Sequence, residues 1–289
     1  MSTAAAVDLS APAFAPEAIL DKAGSENFPV ALRLLPRQLR SDLLAIYGYA
    51  RLVDDLGDRA EGDRLALLDW VEGELDRALE GQSDHPILAA AGEMAHRRGI
   101  GRGPFADLIA ANRLDQVITR YQRYEDLVGY CALSANPVGR LVLAVFGISE
   151  ARAAADSDRI CTALQIIEHV QDLVEDHEVG RIYLPLDDLA DFGVCEDALR
   201  AEAASPALRR LIAFECGRAR DLLVAGSGLV ARSGGPARLA LAGFAGGGFA
   251  QLDAIAAAGY DVIARRPKAS VPMVARRALA LLLARKEPK

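Results

Sequence analysis

The chain has 289 residues, 52% of them hydrophobic, and a formal net charge of −7. It can bury a sizeable core, and no basic stripe dominates any segment, which excludes a nucleic-acid partner held through phosphate contacts. Cys131, Cys161, Cys195 and Cys216 show no C-x-x-C spacing, so neither a zinc site nor a disulfide framework is indicated and all four read as small buried apolar side chains.

In chain order, residues 1–15, MSTAAAVDLSAPAFA, lack the basic start and apolar run of a signal peptide and read as a loose tail of a cytoplasmic protein. Helices are expected over 36–58, 64–79, 104–124 running into 126–146, 161–180, 206–230 and 237–258, with glycine or proline at nearly every junction. Alternating β-branched segments are missing, so the fold class is all-α, one helical domain over 16–289. No window reaches the roughly 18–20 uninterrupted apolar residues of a spanning helix; the longest candidates are 239–250 and 271–284. The terminal run VPMVARRALALLLARK has two readings, a packed last helix or an interfacial helix making peripheral contact at the inner membrane surface. Gly226-x-Gly228-x-x-Ala231 matches a loose dinucleotide pattern but has no preceding strand, so that reading is rejected, and the glycines at 246–248 read as close helix approaches or a thin cavity wall.

Two stretches stand out. At roughly 100° per residue, LLAIYGYARLVDDLGD lines up Tyr47, Arg51, Asp54 and Asp58 on an otherwise apolar helix. In CTALQIIEHVQDLVEDHEVGRIYLP the same reading gives one stripe of Gln165, Asp172 and Asp176, with Glu168 and His169 on its shoulders. Carboxylates facing inward on apolar helices require cations, and hard oxygen donors in this number suit Mg²⁺ with a diphosphate. Two such stripes point to one shared site.

The pattern R-x-x-D-D-x-x-D, then D-x-x-x-D and GRIYLP, resembles the squalene/phytoene synthase family of isoprenoid enzymes. SENFPVALRLLP at 25–36, YCALSANPVGRLVLAVFG at 130–147 and GYDVIARRP at 259–267 are most similar to its bacterial hydroxysqualene synthases of hopanoid biosynthesis. The resemblance implies a helical bundle around an apolar cavity, Asp54, Asp58, Asp172 and Asp176 as Mg²⁺ ligands with Glu168 as a further candidate, and Arg51 gripping a phosphate oxygen. Arg181 and Arg265 are candidates for the same duty, while Phe28, Tyr47, Tyr130 and Tyr183 are candidates for the cavity lining or for plain core. Ser25-Glu26-Asn27-Phe28 stands where coupling synthases carry a Ser-Lys-Ser-Phe run that holds a diphosphate, so Ser25, Asn27 and Phe28 suit an enzyme that ionises one preformed substrate. Glu168 stands where an asparagine is usual, and Gly248 where a tyrosine is often found, so no tyrosine role transfers.

The implied reaction is Mg²⁺-dependent ionisation of presqualene diphosphate with water capture to hydroxysqualene, without nicotinamide. His169 has two readings, a base for that water or a hydrogen-bonded core residue. Rival readings are a head-to-head coupling synthase making presqualene diphosphate, squalene or phytoene, and a non-catalytic scaffold relative. Hand-over of product to other squalene-pathway enzymes is a further expectation.

Overall fold

Helix α1 (Arg37–Asp58) begins directly after Pro36, whose φ of −50° and ψ of 146° place it just outside the helix. Its i, i+3, i+4 spacing buries Leu43, Ile46, Tyr49, Leu52, Val53 and Leu56, and that surface organises the first half of the structure. The computed structural model describes residues 35–284. They fall into two units, 35–117 with Ala144–Gly147, and Ile118–Leu143 with 148–284. Each is taken by itself.

In the first unit α1 packs against α2 (Arg64–Leu79), α3 (Pro86–Arg98) and α4 (Gly103–Leu114). Asp63 caps α2 by accepting the Ala66 N–H at 3.0 Å, and Gly99, at φ 65°, ends α3 in the left-handed conformation that favours glycine. The spacing rules passed over α3, because its PILAAAGEMAHRR sequence is rich in alanine, which forms helix readily but gives little contrast between faces. Buried Asp42 ties α1 to α3 by accepting from Arg97 at 2.8 Å and from Arg98 at 2.8 and 2.5 Å. Burial alone raises the Asp42 pKa; the two guanidiniums more than offset that and hold it below the usual carboxylate value. Tyr49 donates its hydroxyl to the Phe105 carbonyl at 2.9 Å, with the two rings edge to face at 5.0 Å.

The second unit contains α5 (Tyr124–Ser134), most of α6 (Asn136–Val145), α7 (Ala151–Gln171), α8 (Leu173–Glu178), α9 (Leu186–Asp191) and α10 (Pro206–Gly226). It continues with α11 (Gly228–Arg232), α12 (Gly235–Ala257), α13 (Val262–Arg265) and α14 (Val271–Leu283). Helix α7 lies along α10, and α12 along both α10 and α14. The dinucleotide-like glycines sit at the α10–α11 junction, a helical setting that bears out rejecting that reading. Two apolar stretches, Tyr124–Val145 and Gly235–Ala257, have the length and composition of spanning helices, but 56% and 67% of their windows are buried within the fold.

Two sequence expectations need correction. The helix expected over 104–124 stops at Leu114; residues 115–123 form a strap whose Arg120 makes a parallel bridge with Ile182. The Thr119 and Tyr121 carbonyls accept the Ile182 and Leu186 N–H groups at 3.0 and 2.9 Å. The β-branched run Val117-Ile118-Thr119 is the local reason, since such residues crowd a helix and suit extended backbone. The cysteine expectation also fails in part: Cys131 and Cys216 are buried, with thiol pKa values that burial pushes up to about 12, but Cys195 is exposed and Cys161 is half-buried.

A buried ionisable cluster ties α9 to α10. Arg218 Nη1 donates to Asp188 Oδ2 at 2.5 Å and to Glu215 Oε1 at 2.9 Å, and its guanidinium lies 4.2 Å from the ring centroids of both Tyr124 and Phe214. Glu215 is fully buried and its Oε2 has no hydrogen-bond partner among the described residues. Burial, with repulsion from Asp188, pushes its pKa up to about 8, against the partial relief that Arg218 gives. An acid whose pKa is raised by folding favours the fold while protonated, so stability falls as pH rises from the ordinary glutamate range to about 8. Glu215→Gln mimics the protonated form. We expect it to raise Tm by about 2–4 °C at pH 9 and to leave it unchanged near pH 4. Equal or lower Tm at pH 9, measured by calorimetry, would contradict this account.

Candidate active site

The two acidic pairs belong to different units. On α1, Asp54 and Asp58 stand one turn apart with Arg51 a turn before Asp54; the Arg51 Nη1 to Asp54 Oδ2 distance is 3.8 Å. Asp55, which motif reading left aside, is the residue that settles Arg51. It is buried, and its Oδ1 lies 3.2 Å from Arg51 Nε and 3.5 Å from Arg59 Nε. The adjacent aspartates thus divide: Asp55 turns inward and anchors the guanidinium, and Asp54 keeps about half its side-chain surface open. The available signal was the i, i+4 spacing of Arg51 and Asp55 on the same helix.

Burial first, then repulsion from Asp58, pushes the Asp54 pKa up to about 7, with Arg51 acting in the opposite sense and Asp55 and Asp115 adding to the rise. Since Asp54 keeps about half its side-chain surface open to water, the shift is no measure of folding energy. Gly57 between the acids has a packing reason: a Cβ there would collide with the Asn112 amide of α4, whose neighbour Gln116 donates to the Gly57 carbonyl at 3.0 Å. Tyr47 lies half-buried one turn before Arg51.

In the second unit the expected continuous acidic helix kinks at Asp172, between α7 and α8, at φ −93° and ψ 12°. The i to i−4 bonding survives: Asp172 N–H donates to the Glu168 carbonyl and Asp176 N–H to that of Asp172, both at 2.8 Å. The acids therefore stay one turn apart. Burial, then Asp176 and Glu175, pushes the Asp172 pKa up to about 6, with His169 and Lys268 opposing. Glu168 is exposed on α7. The α8 end is closed by Gly180, at φ 87°, after which Arg181 N–H donates to the Asp176 carbonyl at 2.8 Å. Arg265 is exposed at the end of α13.

His169, Tyr130 and Tyr183 come together, and the strap adds Tyr121, which sequence reading missed. His169 stacks on Tyr183 with centroids 3.7 Å apart, and Tyr183 lies 5.4 Å from Tyr130 and 5.7 Å from Tyr121. Tyr130 and Tyr183 are buried against these rings, so they build a wall and expose little of it. Gln165 Nε2 lies 3.3 Å from His169 Nε2, and His169 Nδ1 lies 3.8 Å from Asp176 Oδ2. Donation by the Gln165 amide puts the ring proton on Nδ1, facing Asp176. The ring is held by Gln165 and Tyr183, and Asp176 stands within ion-pair reach of it but beyond hydrogen-bond distance. A Cβ at Gly248 would lie 2.7 Å from Leu164 Cδ2 and 3.1 Å from Leu223 Cδ1, so this position is a tight helix contact and not open wall. Ser25, Asn27 and Phe28 lie outside the described residues.

Among the described residues no three His, Cys, Asp or Glu side chains converge as a protein-only metal cage. Magnesium is ordinarily bound by one or two carboxylates with water and substrate phosphates completing the shell. Each pair fits that role, since its acids repel one another in the absence of a counter-charge.

The squalene/phytoene synthase family model matches residues 21–274. A hydroxysqualene synthase of Sinorhizobium fredii is 34% identical over 211 residues, 72% of this chain and 71% of that protein. A phytoene synthase of Mycobacterium tuberculosis is 31% identical over 207 residues, 70% of this chain and 68% of the other. The crystal structure of squalene synthase HpnC from Alicyclobacillus acidocaldarius superposes with a TM-score of 0.77 at 42% identity, covering 83% of this chain and 92% of that one.

The raised carboxyls give a pH test of cation binding. With pKa values lifted to about 7 and 6, Asp54 and Asp172 are largely protonated at pH 5.5 and ionised at pH 8, so protons compete with a cation at the lower pH. Saturating Mg²⁺ with pyrophosphate should raise Tm by about 5 °C or more at pH 8 and clearly less at pH 5.5, and Asp54→Asn or Asp176→Asn should shrink the pH 8 gain. Equal gains at both pH values, by differential scanning fluorimetry, would contradict the metal role.

Proposed function

The chain belongs to the squalene/phytoene synthase family, and from that premise we propose that it ionises presqualene diphosphate and lets water capture the cation, giving hydroxysqualene and diphosphate. The observation that carries the reading is the pairing of carboxylates one turn apart on α1 and from the α7–α8 kink into α8, where burial first and the neighbouring acid second lift Asp54 and Asp172 to about 7 and 6. Such sites gain most from divalent cations and diphosphate oxygens. The hydroxysqualene synthase of Sinorhizobium fredii, at 34% identity, supports the choice of reaction.

In this reading Asp54, Asp58, Asp172 and Asp176 are oxygen donors for Mg²⁺, with exposed Glu168 as a further candidate. When bound, the ion supplies Lewis-acid neutralisation of charge on the departing diphosphate. Arg51 offers a guanidinium that Asp55 holds at 3.2 Å from its Nε, which limits the freedom lost on meeting a phosphate oxygen. Asp55 is thus a positioning residue. Gln165 and His169 orient Asp176, and the Tyr121–Tyr130–Tyr183 stack keeps the flank of α7 apolar, so water reaches a cation only where side chains admit it. The intact Asp pairs with Arg51 speak against a non-catalytic scaffold.

A second reading is head-to-head coupling of prenyl diphosphates, favoured by the phytoene synthase relative and by the squalene synthase named for the Alicyclobacillus structure. Purified protein with Mg²⁺ and presqualene diphosphate, without NADPH, should yield hydroxysqualene by mass spectrometry. Asp54→Asn and Asp176→Asn should each lower kcat/KM at least about 100-fold, and Asp55→Asn about tenfold, through KM. Squalene formed only with NADPH, or no alcohol, would overturn the reading; a coupled product from farnesyl or geranylgeranyl diphosphate alone would favour the second.

A further inference from the structure

Helix α14 has two unlike faces. Met273, Val274, Arg277, Ala278 and Leu281 are half-buried toward α12. Gly246 of α12 comes so close that a Cβ there would lie 2.7 Å from Ala278 N, and Arg277 makes a two-pronged pair with Asp253, Nε to Oδ2 at 2.6 Å and Nη2 to Oδ1 at 2.7 Å. The helix is therefore fixed along one side.

Its other side is apolar and exposed among the described residues. Val271, Ala275, Leu279 and Leu283 recur every fourth residue, each about 40° on from the last, and form one stripe flanked by Pro272. Val271, Leu279 and Leu283 are 64%, 55% and 73% exposed, and no residue of α14 is buried. At the edge of this stripe Arg276 is 71% exposed, its Nη2 3.8 Å from Asp253 Oδ2.

Charge is segregated here as well. Residues 261–289 carry eight Lys or Arg and two Asp or Glu, a net +6 in a chain of net −7, which leaves −13 for the rest. Exposed Arg265, Arg266 and Lys268 precede the helix, Arg266 pairing with Glu175 at 3.0 Å, and Arg285, Lys286 and Lys289 follow it in the sequence. An apolar stripe with basic flanks, on an otherwise acidic protein, matches an anionic lipid surface in both chemistry and orientation. The acidic remainder is repelled from such a surface. A second copy meeting the same face by two-fold symmetry would instead bring like charges together.

We propose that the outer face of α14 docks on an anionic bilayer, with Val271, Leu279 and Leu283 at the acyl boundary and Arg276 and its basic neighbours on the lipid phosphates. The surface is independent of which prenyl substrate the chain takes.

The test is co-sedimentation of the full-length protein with phosphatidylcholine vesicles, with and without about 30% phosphatidylglycerol. Binding is expected with phosphatidylglycerol, much less without it, and to fall when salt is raised to about 1 M, where charges are screened beyond roughly 3 Å. The double variant Leu279→Ser, Leu283→Ser should weaken vesicle binding at least about tenfold, and Arg276→Gln about fivefold. Both should keep the wild-type Tm and the wild-type rate of diphosphate release in detergent. Absence of wild-type binding to phosphatidylglycerol vesicles, or binding that the variants share undiminished, would overturn the proposal. So would a wild-type dimer in sedimentation that the double variant loses, because the stripe would then belong to a second copy.

Discussion

Like charges held close together on apolar helices are the constraint from which the rest follows. Asp54 with Asp58, and Asp172 with Asp176, are spaced one turn apart, and the surrounding protein withdraws enough water to lift one member of each pair to about 7 and 6. A neutral partner does not remove that repulsion. Positive charge does, and the electrostatic benefit of bringing in a cation is greatest where the pKa is raised by a neighbouring carboxylate. The helices beneath the acids are packed on their inner faces. Leu52, Val53 and Leu56 on α1, and Ile166, Ile167 and Val170 on α7, are buried and hold their backbones rigid, so the acids have little room to relax apart.

Around that constraint the structure spends other charges on position. Asp55 shows it most clearly: buried beside an open Asp54, it draws Arg51 inward at 3.2 Å while Arg59 approaches from the other side at 3.5 Å. Arg51 reaches Asp54 only at 3.8 Å, so the Asp55 carboxylate is the nearer of the two. The strap over 115–123 does comparable work in the second unit. By pairing with the GRIYLP segment through Ile182 and Leu186 it sets Tyr121 against Tyr130 and Tyr183, and His169 is stacked on the same group. The sparse backbone pairing of a few residues thereby fixes a wall of four rings.

Much of this was legible in the sequence, for reasons that differ by element. Helices α1, α2, α10 and α12 were readable because leucine, isoleucine and valine recur at helical spacing between clear breakers; α2 runs over Arg64–Leu79, as its periodicity predicts. The acidic pairs were readable because i, i+4 aspartates on an apolar helix demand a reason. What escaped depends on contacts distant in sequence. The strap looked helical until Ile182 offered its N–H to Thr119, 63 residues away by number, and no local propensity reports a pairing of that kind. Asp55 escaped because adjacent acids look alike until packing decides which one turns inward. For Gly248 the sequence left two readings, because a small residue fits a thin cavity wall and a crowded contact equally well, and only Leu164 and Leu223 decide for the contact.

The relatives carry three names, hydroxysqualene synthase, phytoene synthase and squalene synthase, at 34%, 31% and 42% identity. The charged machinery is a poor place to seek the difference between them. Under the proposed reaction the departure of a diphosphate draws on cations and a guanidinium whatever follows, so the carboxylate pairs and Arg51 would bear on whether a carbocation forms and say little about its fate. That fate depends on which groups surround the cation and on how water is admitted. In the second unit the relevant surface is the Tyr121–Tyr130–Tyr183 stack with His169 and Gln165 beside it, where apolar ring faces adjoin two groups able to order a water molecule. Exposed Glu168 lies one residue from His169 on α7 and adds negative charge next to that wall. Under the reaction proposed above, a carboxylate there adds to the demand for counter-ions already set by Asp172 and Asp176.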